Sequence, residues 1–207
     1  MEMYLEKQKN LILQLGFNES LFPQLKKYID FLWAKNQDLN LISRQMTYEE
    51  LIDNHVIDCL LPLKHWPSNL KLVADFGSGG GLPGVAYAIQ FPHIQFHLYE
   101  KSPKKQEFLN ECRMFAPNIV IKGEIPKDFS AVDLVFARAF KPVDVLLDMS
   151  RTYYEKNGKY FLLKGRNEKI QEELTLATKK FNPLKVSIVP LKSPLLEVER
   201  NLVLINL

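Results

Sequence analysis

An open α/β sheet with a helical N-terminal extension is the architecture this sequence predicts, and three observations predict it. Residues 1–70 repeat apolar positions at helical spacing, from Lys71 onward short apolar runs alternate with helical stretches, and the last two runs follow each other with no room for a helix between them. The 207 residues suit one domain, or one domain with a small extension. With 46% hydrophobic and 25% charged residues, the balance is that of a globular chain and excludes a disordered tail, a fibre or a disulfide-stapled miniprotein.

The extension reads as three helices. The first covers about residues 4–15 and stops at Gly16. Ser20 is the expected N-cap of the second, in which Leu21, Leu25, Tyr28, Ile29, Leu32 and Trp33 recur three or four apart. Thr47-Tyr48-Glu49-Glu50 is a capping box, in which the Thr oxygen and the Glu carboxylate satisfy free backbone N–H groups, and it starts a third helix reaching about Leu63. Pro67 and Ser68 close the region, so the expected division is a helical cap over 1–70 and a sheet domain over 71–207.

Five buried strands are expected in the sheet, at Lys71–Phe76, Ile94–Glu100, Asn118–Lys122, Val132–Arg138 and Lys159–Lys164. Helices fill Pro103–Phe115 and Arg166–Phe181; in the latter Ile170, Leu174, Ala177 and Phe181 share a face, and Lys179 and Lys180 favour the helix dipole. Leu184–Val189 and Asn201–Asn206 then form a pair that must be antiparallel. An alternating sheet closed by such a pair is the Rossmann-like architecture of class I S-adenosylmethionine-dependent methyltransferases.

The ligand chemistry starts at Val73-Ala74-Asp75-Phe76-Gly77-Ser78-Gly79-Gly80-Gly81-Leu82-Pro83-Gly84, a strand ending in a carboxylate, a glycine loop, and a Pro near the first turn of a helix. Five glycines in the eight residues from Gly77 exceed what a tight connection needs. Gly79 to Gly84 also matches the dinucleotide fingerprint G-x-G-x-x-G, so an NAD(P)-dependent reductase is a competing reading. Charge favours the methyl donor: Asp75 would repel a pyrophosphate, whereas the ammonium and sulfonium of S-adenosylmethionine suit a carboxylate. Asp75, Gly77, Gly79 and Gly81 are therefore candidate donor-binding positions, and Glu100, 23 residues after Gly77, is the expected acceptor for the ribose hydroxyls.

Ligands of open α/β sheets bind outside the carboxyl ends of the strands. Lys101, Arg138, Lys141, Lys164 and Arg166 fall there and suggest a polyanion, RNA or DNA, as substrate. The formal net charge of +3 conceals an uneven spread: residues 1–70 carry 7 Lys+Arg against 9 Asp+Glu, and residues 71–207 carry 20 against 15. His55 and Asp58, one turn apart, could pair, and a local helix pair or a packed histidine is expected there ahead of a catalytic role. The four histidines and two cysteines, Cys59 and Cys112, lack metal-ligand spacing, so no metal is expected. The cysteine usage, the absence of a basic and apolar leader and the lack of a spanning apolar run lead to the expectation of a soluble cytoplasmic protein.

The sequence resembles the glucose-inhibited division protein B family, the guanine-N7 methyltransferases of small-subunit 16S ribosomal RNA. The similarity runs from Asn36 to the C-terminus through Leu39-Asn40-Leu41, His55-Val56-Ile57-Asp58, Gly81-Leu82-Pro83-Gly84, Lys104-Lys105 with Phe108-Leu109, Ala137-Arg138-Ala139-Phe140, Leu163-Lys164-Gly165 and Glu199-Arg200-Asn201-Leu202. The resemblance implies donor binding by Gly77 and Leu82, ribose binding at Glu100, a site role for Arg138 toward donor and acceptor, and Lys164 and Arg200 facing RNA. It implies as partner the small-subunit RNA or the 30S particle, with a single chain expected to act alone. Family members usually carry Arg before the motif histidine, where this chain has Asn54, so one RNA contact is expected to be absent. The segment after the third strand is shortened here, and Gly123, Glu124 and Ile125 are the positions expected at the adenine. Arg138 and Lys164 are the expected catalytic pair, fixing a flipped or single-stranded guanosine through its phosphate or O6. A noncatalytic RNA-binding protein on the same fold is the remaining alternative.

Overall fold

The computed structural model describes residues 2–43 and 45–207. Helix α1 (Glu2–Gln14) ends before Gly16, whose φ of +105° only glycine adopts readily. The helix α2 (Phe22–Leu39) follows a single 3-10 turn, and the cap of that turn is Asn18, not Ser20: the Asn18 Oδ1 accepts from the Ser20 N–H at 3.0 Å. A 3-10 turn ahead of α2 moves the capping duty two residues upstream. The Thr47 capping box is present as expected and starts α3 (Tyr48–Leu51), which continues through a π-helical turn, Ile52–Ile57, into α4 (Asp58–Leu60).

Seven strands form one sheet: β1 (Leu72–Phe76), β2 (Gln95–Tyr99), β3 (Ile119–Lys122), β4 (Leu134–Arg138), β5 (Tyr160–Lys164), β6 (Val186–Lys192) and β7 (Glu199–Ile205). Their spatial order is β3-β2-β1-β4-β5-β7-β6, parallel through the first five and antiparallel where β7 pairs with β5 and β6. The expected architecture, a class I methyltransferase sheet with an antiparallel C-terminal pair and N-terminal helices, is thus the observed one. At the margins, β3 is four residues long, and β6 carries Pro190 opposite Asn201. The order in which successive strands join the sheet reverses between the parallel neighbours β1 and β4, the switch point at which open α/β sheets leave a crevice.

Alternation along the strands divides the core in two. Val73, Leu98, Phe136, Phe161, Leu163 and Leu202 face one side, where α1, α2, the 48–60 helical segment, α5 (Gly84–Gln90) and α6 (Pro103–Glu111) cover them. Ala74, Phe76, Val135, Ala137, Leu162 and Val203 face the other, under α7 (Val143–Met149), α8 (Arg151–Glu155) and α9 (Asn167–Lys180). Residues of the first 70 and of the sheet share the first core, with Trp66 stacked near Phe91 and Phe96 and set edge-on to Phe136 and Phe161.

The helix α2 also backs the glycine loop. The buried Tyr28 hydroxyl donates to the Gly80 carbonyl at 2.6 Å, and burial holds its pKa well above the usual 10.0, so it stays a donor. The Tyr28→Phe variant keeps the ring and strands that carbonyl. It should lower stability by about 1–3 kcal/mol, the cost of a buried acceptor left unmet, read from urea unfolding midpoints.

Candidate active site

Two surfaces meet at the carboxyl ends of the strands. The first is the loop after β1, pinned to the end of β2 where Gly77 N–H and Ser78 N–H both donate to the Tyr99 carbonyl, at 2.9 and 3.1 Å. Gly77 and Gly81 sit at φ +76° and +85°, and Gly81 lies so close to Val85 and the Tyr28 hydroxyl that a methyl group there would collide with both. A methyl group at Gly123 would instead meet nothing, and one at Gly79 only the Gly77 carbonyl oxygen at 3.8 Å. Between them stands Glu100, half-buried, with Oε2 accepting from Gly79 N–H at 3.0 Å and Oε1 from Ser102 N–H at 2.8 Å. Each oxygen keeps a lone pair for a further donor.

A bare backbone cradle, a carboxylate with spare acceptor capacity and room at Gly79 and Gly123 fit a nucleoside with ribose hydroxyls and a cationic tail. Of the remaining expected donor positions, Leu82 is half-buried against the first core, Glu124 is exposed and Ile125 packs on the second core. Asp75 lies beneath the loop, 1% exposed, against Gly84 and Leu98. Among the described residues its Oδ2 has no well-formed hydrogen bond, and burial pushes its pKa up to about 7 against a weaker opposing pull from Ser78 and the Gly84 backbone. A carboxyl against the first residue of α5 also leaves no place for a pyrophosphate at that helix start.

The second surface is a cavity of about 730 Å³ lined by Asn54, His55, Asp58, Arg138, Lys141, Lys164, Glu173 and Arg200 on its polar side and by Phe140, Leu163, Leu191, Leu196 and Val198 on its apolar side. Phe140 belongs to both surfaces, since its ring also lies directly over Gly77. Of the cations expected from sequence, Arg138, Lys141, Lys164 and Arg200 meet here, whereas Lys101 and Arg166 are exposed outside the cavity wall.

The meeting cations are largely paired. Strand alternation sends Arg138 and Arg200 to the face covered by the 48–60 segment, and Lys164 to the face of α9. Arg138 Nη1 donates to the His55 carbonyl at 2.7 Å and lies 3.7 Å from Asp58 Oδ2; its Nη2 lies 2.5 Å from His55 Nδ1. Arg200 Nε donates to Asp58 Oδ1. The expected His55–Asp58 pair is thus replaced by a shared grip on Arg138, because the strand-end guanidinium reaches both. Lys164 Nζ donates to the Lys141 carbonyl and to Glu173 Oε2, each at 2.7 Å, and Glu173 also accepts from Val143 N–H at 3.0 Å.

Asn54, noted in the sequence as a departure from the family, lies in the wall, whereas Glu173 is a charged lining residue that motif reading passes over. Glu173 had a signal: it falls within the apolar stripe Ile170, Leu174, Ala177 of α9, where a carboxylate needs a cation. The Leu196 and Val198 wall comes from the β6–β7 turn and carries no local signature.

The buried Asp75 sets a pH dependence. Its carboxyl ionises near 3.8 ordinarily and at about 7 in the fold, so between these values the unfolded chain gives up its proton first. Wild-type protein should therefore lose stability relative to Asp75→Asn as pH rises from 4 to 7, measured by thermal unfolding without ligand. Parallel curves for the two proteins would contradict a protonated carboxyl beneath the loop.

Comparison with known proteins agrees with this geometry. The GidB family model, rRNA small subunit methyltransferase G, matches residues 21–203. A "Ribosomal RNA small subunit methyltransferase G 1" of Bdellovibrio bacteriovorus is 64% identical over 205 residues, covering 99% of this chain and 100% of its own length. A "Ribosomal RNA small subunit methyltransferase G" of Brachyspira hyodysenteriae is 32% identical over 198 residues, covering 93% and 94%. Among solved structures, a SAM dependent methyltransferase from Aquifex aeolicus shares the fold at a TM-score of 0.54 and 13% identity, over 76% of this chain and 93% of that one. Sequence and fold together show that the chain belongs to the rRNA small subunit methyltransferase G family, whose methyl donor is S-adenosylmethionine.

Proposed function

We propose that this protein transfers a methyl group from S-adenosylmethionine to N7 of a guanosine in small-subunit (16S) ribosomal RNA. The observation that carries this reading is the pair of surfaces divided by Phe140: a glycine cradle with a carboxylate on one side, and on the other a cavity where four cations and a histidine converge. The names of the relatives, which specify small-subunit ribosomal RNA, support the choice of acceptor. When bound, S-adenosylmethionine supplies an activated methyl group on a sulfonium.

The chain holds the donor with backbone at Gly77, Gly79 and Gly81, with Leu82 packed beside the loop and the free lone pairs of Glu100 accepting from ribose hydroxyls. Gly123, Glu124 and Ile125 border the adenine. Asp75 acts from beneath: a cationic tail on the loop favours its ionised form.

Guanine N7 carries an exposed lone pair on the major-groove edge. Bound S-adenosylmethionine would give its methyl group to that lone pair and keep the bonding electrons on sulfur, so no proton has to leave and the chain needs no general base. Rate then depends on placement and on exclusion of water. Lys141, Lys164 and Arg200 hold phosphate oxygens along the strand, exposed Lys101 and Arg166 extend that track, and Arg138 is anchored so that its remaining N–H groups face the acceptor. The substrate is naked RNA or the 30S particle, met by a single chain in the cytoplasm; among the described residues no helix is long and apolar enough to cross a membrane.

Radiolabelled methyl transfer to small subunits and to naked small-subunit RNA, followed by mapping of the modified base, tests the reading. Label in guanine N7 is expected; binding of NAD(P)H without S-adenosylmethionine in calorimetry, or no transfer to either substrate, would overturn it in favour of the reductase or the noncatalytic binder. The Arg138→Ala and Lys164→Ala variants should each lose roughly ten- to a hundredfold in kcat/KM for RNA, the worth of a charge-assisted hydrogen bond. Near-normal transfer in both would remove these two residues from the site.

A further inference from the structure

Resting on that reading and refining it, we propose that His55 is a substrate-contacting residue, held by Arg138 and Asp58 as a fixed Nε2–H donor that accepts guanine through its O6 and turns adenine away.

The tautomer follows from the partner. A guanidinium has donors and no acceptor, so the Arg138 Nη2 that lies 2.5 Å from His55 Nδ1 can only donate to it. An Nδ1 that accepts carries no proton, and the neutral ring must keep its proton on Nε2. The ring is also kept neutral: burial first, then Arg138 and more weakly Arg200, lower its pKa to about 4, against an opposing pull from Asp58. These three are the charged groups that face it, from β4, from β7 and from its own helix. The oxygens of Asp58 lie between both guanidiniums, Oδ1 taking Arg200 Nε and Oδ2 facing Arg138, which fixes the plane of Arg138 and through it the ring.

Nε2 is the end left over. It has no hydrogen-bond partner among the described residues and is not among the sealed, unsatisfied atoms, while His55 lines the cavity beside Asn54, Arg138 and Phe140. The π-helical turn that contains His55 widens the helix at this point, a distortion frequent at functional sites.

Guanine offers two neighbouring acceptors on that edge, N7 and O6. N7 has to stay bare for the methyl group, so a donor in the pocket has O6 to hold. Adenine places an N6 amino group at the same point, and a fixed donor would face another donor. A neutral ring suits the reaction as well, since N7-methylation leaves positive charge on the purine and a cationic imidazolium would oppose it.

The test couples the histidine to the oxygen. Small-subunit RNA is prepared with either guanosine or 2-aminopurine riboside, which keeps N7 and lacks O6, at the mapped acceptor position, and both are assayed with wild type, His55→Leu and His55→Gln. Wild type should lose roughly tenfold or more in kcat/KM on 2-aminopurine. The His55→Leu variant should lose a similar factor on guanosine and nothing further on 2-aminopurine. The His55→Gln variant, whose amide keeps a donor near Nε2, should stay within a few-fold of wild type on guanosine. All three should bind S-adenosylmethionine alike in calorimetry. Multiplicative losses in His55→Leu, or equal use of both RNAs by wild type, would mean that His55 does not read O6 and would overturn the role. Independently, nitrogen-15 spectra of the wild-type histidines should show His55 with a bare Nδ1 and a protonated Nε2 from pH 6 to 8; a proton on Nδ1 would overturn the tautomer. Wild type that methylates no RNA would sink the proposed function instead, whatever the spectrum shows.

Discussion

The buried hydrogen bond from Tyr28 to the Gly80 carbonyl is the constraint on which the rest of the site depends. A loop rich in glycine has little conformational preference of its own, and its left-handed residues have no side chains with which to hold a shape. Shape is imposed from outside. Helix α2 stands behind the loop, Glu100 grips Gly79 in front, Tyr99 takes the two N–H groups at its start, and the Phe140 ring lies across Gly77. The helical N-terminal region therefore shapes the glycine-loop surface as much as the sheet does.

The cavity on the other side of Phe140 is ordered by a different rule, the two-residue alternation of strands. Arg138 and Arg200 have the parity of Phe136 and Leu202 and turn to the 48–60 helical segment; Lys164 has the parity of Leu162 and turns to α9. Two ion-pair centres result, one around Asp58 and one around Glu173, on opposite faces and both at the cavity wall. Four lining cations thus stand against two lining carboxylates, which leaves the cavity with a modest positive excess.

What the sequence made legible was local. The strand runs, the Thr47 capping box, the antiparallel closing pair and the glycine loop all rest on neighbours within a few residues, and they stand in the structure close to where expected, except that β6 begins two residues later and runs on through Pro190 to Lys192. The Asn18 cap escaped because a short 3-10 turn shifts the helix start, a difference too small for periodicity to register. The partners of the cations escaped for a stronger reason. Arg138 meets a helix 83 residues earlier and Arg200 meets Asp58 across 142, distances along the chain that only a tertiary fold closes. Parity could have pointed to the face each cation takes, but not to the residue waiting on it. Asp75 is the instructive middle case: its position in the motif is plain from sequence, while its place beneath the loop follows from sharing the inward face of β1 with Val73.

The two margins of the sheet carry a consequence of another kind. An outermost strand normally presents a row of unpaired backbone groups that can template a strand from another molecule. Here one margin, β3, is only four residues long and ends at Lys122, and the other, β6, is interrupted by Pro190, which has no N–H to offer. Among the described residues the sheet therefore offers only a short edge and a Pro-bearing one, neither suited to templating a strand from a second molecule.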